Sequence, residues 1–148
     1  MNITFSWKAL IIIILPMLPN IIYFINPPTD ITAGSGTVLK IIGIIENISR
    51  SISFMLLLFL SKNPNANFRN PLAIAMWVFL LLYFILWGRY FFGGGSYSLL
   101  GKSFLGIPMA IFPVCYFICA AFLLNCLPAV ISLVIFGTFH IISHLSTF

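Results

Sequence analysis

GIIENISRSISF, residues 43–54, is the stretch on which the reading of this chain turns. Glu46, Asn47 and Arg50 stand near the middle of a run, 38–60, that is otherwise apolar. At about 1.5 Å per residue that run is long enough to cross a hydrocarbon core of about 30 Å. A charged side chain at the centre of such a helix costs about 2.5–3.5 kcal/mol on insertion scales. Glu46 precedes Arg50 by four residues, the favourable order for a pair on one helical face. Gly43, Glu46, Asn47 and Arg50 fall within about a third of the helical wheel, with Ser53 just beside it. That stripe cannot face lipid. It either locks helices together as an ion pair or forms a ligand, ion or proton site.

The surroundings fix the class. The chain of 148 residues is 61% hydrophobic and 6% charged, where a soluble domain carries about 25% charged residues. The apolar runs are continuous rather than alternating, which excludes a transmembrane barrel. The expected fold is all-α: a polytopic transmembrane helical bundle forming one membrane domain over 1–148. The net charge of +5 reads as the usual excess of Lys and Arg in loops and at span ends, so no nucleic-acid partner is expected. Cys115, Cys119 and Cys126 lie in or beside apolar runs, and none forms a CxxC pair. They read as structural thiols. The GGG at 93–95 carries no Walker or dinucleotide pattern.

Five spans follow in order, at about 7–25, 38–60, 72–90, 107–124 and 128–146. The first carries Trp7 and Lys8 as an interfacial anchor, lacks a small-residue cleavage site after it, and reads as a retained span. Pro16 and Pro19 kink it, and share a face with Asn20 and Tyr23. The third span is polar almost nowhere and reads as largely lipid-facing, ending in Arg89 and an aromatic belt of Trp87, Tyr90, Phe91 and Phe92. The apolar signal after 107 is too long for one span. A tight turn from Leu124 to Pro128 splits it, with the proline opening the last helix. The alternative is four spans with the final segment in the interface. No internal repeat is evident, so symmetry would come from a homo-oligomer or a membrane-protein partner.

With five spans the termini lie on opposite sides, an A side holding the N-terminus and a B side opposite. Helical rise then sets Asn20, Glu46, Cys115 and His140 in the B half, with Arg50 near the middle. Gly137, His140 and His144 share a face of the last helix. That histidine spacing could hold a metal with Glu46 as a third ligand, but no HExxH pattern is present, and neither a metal nor a cofactor is expected. The B side also gathers Lys40, Arg50, Arg89 and Lys102 against Glu46 and Asp30, a balance suited to an anion such as a lipid headgroup or phosphate. The ligand-binding candidates are therefore Asn20, Glu46, Asn47, Arg50 and His140, with Arg50 as the anion contact.

LPNIIYFINPP, ENISR, LWGRYFFGG, IPMAIFPVCYF and FGTFHIISH, which together touch every span, resemble a group of small multi-pass membrane proteins of low-GC Gram-positive bacteria. The resemblance implies the bacterial cytoplasmic membrane and a recurring acidic–basic pair at Glu46 and Arg50. It implies no activity. Three functions are open: binding or transport of a small anionic or amphipathic, lipid-like ligand; a non-catalytic accessory, immunity or structural subunit; or a lipid-modifying enzyme. The last would rest on Glu46 and His140, with no nucleophile motif beside them. The short polar loop with Lys62 and Arg69 favours a cytoplasmic N-terminus.

Overall fold

The structure, a computed structural model, describes residues 5–28, 37–96, 98–101 and 106–147. These form six helices: α1 (Trp7–Ile25), α2 (Thr37–Phe59), α3 (Pro71–Phe92), the single turn α4 (Ser98–Gly101), α5 (Gly106–Leu123) and α6 (Leu127–Thr147). Among the described residues α1, α2, α3 and α6 are long and apolar enough to cross a membrane, and α5 is a shorter apolar helix. The chain is thus an all-helical bundle of the multi-pass membrane kind, and each expected apolar run is one helix. Asp30 and Lys102, two of the charges assigned to the B side, lie outside the described residues.

Local chemistry sets the helix ends. Ser6 caps α1, its Oγ accepting from the Ala9 amide at 3.2 Å. Asn70 caps α3 by accepting from the Leu72 amide at 2.9 Å, with Pro71 in the first turn, where its missing N–H removes nothing from the helix. Asn125 takes φ 52° between α5 and α6, a left-handed conformation that asparagine tolerates. The Cys126 amide then bonds back to the Ala121 carbonyl at 2.8 Å and closes α5. At the A end the Asn63 amide donates to the Leu124 carbonyl at 3.0 Å, joining the α2–α3 loop to this turn. Lys8 reaches the same loop, donating to the Ala66 carbonyl at 2.9 Å.

Helices in lipid gain little from hiding apolar surface from one another, so close approach through small residues dominates. α2 lies mainly along α6, α3 along α5, and α5 along α6, with α1 touching α2, α3 and α5. α6, for which an interfacial position is the alternative, is thus packed along two helices. α2 turns Ser49, Ser53 and Leu57 inward, and Ser132 of α6 donates to the Ser49 carbonyl at 2.9 Å. Gly137 lies so close to α5 that a Cβ there would sit 2.5 Å from Val114 Cγ1. Outward, Ile41, Ile44, Ile48 and Ile52 of α2 and Ile74, Val78, Leu81 and Ile85 of α3 are exposed, as lipid-facing positions should be.

The carbonyl that Pro16 leaves free in α1 is satisfied from a neighbour. Pro16 has no N–H to give the Ile12 carbonyl one turn earlier. The Tyr116 hydroxyl of α5 takes that place, donating to the Ile12 oxygen at 2.8 Å. Tyr116 and Ile12 are both fully buried, so no water could do the same service.

Candidate functional site

Glu46 lies nine residues into α2, about 14 Å along the helix from its B end. Its carboxylate meets the Nδ1 of His140 on α6 at 2.9 Å. This is the one salt-bridge contact among the described residues, ionic when the imidazole is protonated. The imidazole is held flat on Phe136, one turn earlier, with ring centroids 5.2 Å apart and planes 21° apart. Phe136 is buried, so the core fixes the ring that meets the carboxylate. Ser143, one turn beyond on the α6 face, stands beside the same carboxylate.

This pair opens on a cavity of about 260 Å³ at the B end of the bundle. α1 contributes Asn20 and Tyr23, and α3 contributes Tyr83 and Trp87. α6 adds Ser143 and His144 beside His140, and Leu100, Met109 and Ala110 close the apolar side. Asn20 donates to the Tyr83 hydroxyl at 3.1 Å and to its own helix at the Pro16 carbonyl at 3.0 Å. The Trp87 ring stands at 89° to Tyr83, with centroids 6.2 Å apart, and at 65° to Tyr23, at 5.8 Å. Tyr83 and Trp87 are buried, and with Tyr90, Leu86, Leu100 and Met109 they form a second core cluster beneath the cavity.

Asn20, Glu46 and His140 are therefore brought together, and Asn47 and Arg50 are not. Asn47 is exposed, and its amide nitrogen donates to the Gly43 carbonyl at 2.8 Å. Arg50 donates through Nη2 to Asn47 Oδ1 on its own helix. The pair expected between Glu46 and Arg50 is not formed, and Arg50 is absent from the cavity wall. For Asn47 the reason is the rotation of α2. With Ser49, Ser53 and Leu57 turned inward, Glu46 faces inward on nearly the same stripe. Asn47 is carried about 100° round the helix from Glu46, and Arg50, which shares the Glu46 face, turns its guanidinium aside to Asn47.

Tyr83 and Trp87 were not legible as site residues, because α3 reads as a lipid-facing span with an interfacial aromatic end. The available signal was the Tyr83 hydroxyl, which needs a partner when set within a span. Arg89 likewise does not simply reach for the interface: Nη2 donates to the Leu99 carbonyl, tying α3 to α4. Among the described residues no group of three His, Cys, Asp or Glu side chains is placed to hold a metal ion.

Chemically the wall joins one carboxylate, two imidazoles, two phenols, an indole and an amide to an apolar floor. It can exchange hydrogen bonds and carry a proton between Glu46 and His140, and it can hold an apolar body. No family model, curated protein or solved structure matches this chain.

Proposed function

We propose that this chain is a multi-pass protein of a bacterial cytoplasmic membrane that binds or transports a small amphipathic ligand in the Glu46–His140 cavity. The observation that carries the reading is the cavity itself. A carboxylate, imidazoles and phenols drawn from four helices converge on one space at one end of the bundle, and ionisable groups within spans are costly to keep without use. The wall suits an amphipath, having polar groups on one side and an apolar floor on the other. With Arg50 outside that wall, the anion contact expected of it has no place in the proposal. The bacterial membrane rests on the resemblance of the five quoted segments.

The test is native mass spectrometry of the detergent-released protein, wild type beside Glu46→Gln. A defined adduct on the first and its loss from the second, with both folded, is the expected result. Absence of any adduct from both would remove the reading.

A second reading is favoured by one observation. α2 is held chiefly by α6, and the Glu46–His140 contact joins those two helices. On this reading the pair locks the bundle of an accessory subunit. Breaking a buried pair from one side leaves a group unpaired, whereas replacing both relieves it. Glu46→Gln and His140→Leu singly should then lower stability, and Glu46→Leu/His140→Leu should recover much of the loss. A double variant less stable than either single one would exclude the lock.

A further inference from the structure

Resting on the reading of this cavity as a binding site, we infer that its ligand is a small organic cation, an ammonium group carried on an apolar body. Among the described residues Glu46 is the one carboxylate lining the cavity, and no Lys or Arg side chain lines it. The two guanidinium groups nearby are engaged elsewhere. Arg50 donates to Asn47 on its own helix. Arg89 donates to the Leu99 carbonyl. Lys8 is at the opposite end, on the Ala66 carbonyl. A ligand cation would touch the Glu46 carboxylate directly, whereas Arg50 acts on it only from outside the wall.

The aromatic groups point the same way. Tyr23, Tyr83 and Trp87 are set at steep angles, 65° and 89° between their planes, with centroids 5.8 and 6.2 Å apart. Rings arranged as adjoining walls offer a π face to a cation in a way that parallel rings would not, and such boxes recognise quaternary ammonium groups. Within a span, where water is scarce, both the ring faces and the carboxylate act more strongly than at an exposed surface. The volume of about 260 Å³ lies just under the range of about 300–1,000 Å³ for drug-sized sites. The ligand is therefore of the size of a benzylammonium or a short alkylammonium.

The test is isothermal titration of the purified full chain in detergent with three probes of similar shape: benzyltrimethylammonium, benzenesulfonate and benzyl alcohol. The cation should bind at least tenfold tighter than the other two. Glu46→Gln should weaken it tenfold or more. Tyr23→Leu, which removes a half-buried ring, should weaken it severalfold while size-exclusion and circular dichroism profiles stay unchanged. The ammonium could belong to a soluble amine or to a lipid headgroup. In nanodiscs, competition by phosphatidylethanolamine but not phosphatidylglycerol assigns it to the headgroup, and binding indifferent to both assigns it to a soluble amine. Equal or tighter binding of benzenesulfonate or benzyl alcohol overturns the cation assignment while leaving a binding site in place. So does cation affinity unchanged in both Glu46→Gln and Tyr23→Leu. If no probe binds and native mass spectra carry no adduct, the binding-site reading falls with it.

Discussion

Tyr116→Phe removes one oxygen atom and leaves the ring packing of a fully buried residue intact. What it takes away is the donor at 2.8 Å from the Ile12 carbonyl, which Pro16 cannot supply. Hydrogen bonds between membrane helices average about 0.6 kcal/mol and reach about 1.7 kcal/mol. An acceptor left buried without a partner costs about 1–3 kcal/mol. Ile12 is fully buried, so no water replaces the phenol, and the expected loss is about 1–2 kcal/mol. The control is Pro16→Ala, whose restored amide can bond the Ile12 carbonyl within α1. In that background Tyr116→Phe should cost no more than about 0.5 kcal/mol, since only the weak bond and not the orphaned carbonyl is at stake. Reversible unfolding of the purified protein in mixed detergent and SDS micelles measures all four corners of this cycle. The coupling of about 1 kcal/mol changes the folded-to-unfolded ratio about fivefold. Equal loss from Tyr116→Phe with and without Pro16 would refute the claim that the tyrosine serves the carbonyl freed by the proline.

Three further outcomes are expected. Gly137→Ala puts a Cβ 2.5 Å from Val114 Cγ1, and the β-branched valine has little freedom to turn away. The α5–α6 contact should lose about 1–3 kcal/mol, with Val114→Ala in the same chain restoring most of it in the same unfolding assay. Asn20→Leu removes the bonds to Tyr83 and Pro16, so hydrogen exchange should rise over residues 20–25 while the A end of the bundle is unaffected. Cys126 is buried and donates to the Leu56 carbonyl at 3.4 Å, and burial pushes its thiol above the ordinary cysteine value. With Cys115 and Cys119 replaced by Ser, maleimide labelling at neutral pH should be slow and should rise with pH and on unfolding. Rapid labelling of the folded chain would contradict that burial.

The helices were legible because their signals are local. Asn125 with Pro128 divides the long apolar run into α5 and α6. Each expected boundary lies within two residues of the observed one. Glu46 was legible because a carboxylate in an apolar run is costly wherever it points. His140 was legible as a candidate in the same half of the membrane, but the contact between the two was not. Along one helix Arg50 is the nearest opposite charge, but a pair at that spacing is worth only about 0.2–0.5 kcal/mol. Arg50 donates to Asn47 instead, and the carboxylate meets His140 across the α2–α6 contact. That contact rests, like the Ser132 bond to the Ser49 carbonyl, on two helices packed together. Tyr83 and Trp87 escaped for a related reason: an aromatic residue in a span reads the same whether it faces lipid or a cavity until its neighbours are known.

The contact between Glu46 and His140 spans 94 residues of sequence, and during synthesis that separation is a delay. At about 5–20 residues per second the chain is made for roughly 5–19 seconds between the two. α2, the least apolar of the four long helices, carries Glu46 and Arg50 from the start. Through that interval Arg50 has Asn47 on its own helix, and Glu46 has no α6 to receive it. A nascent chain stopped before α6 would hold its carboxylate bare, or protonated, in the bilayer. Completion of the last helix is thus the step that gives the second one a settled place.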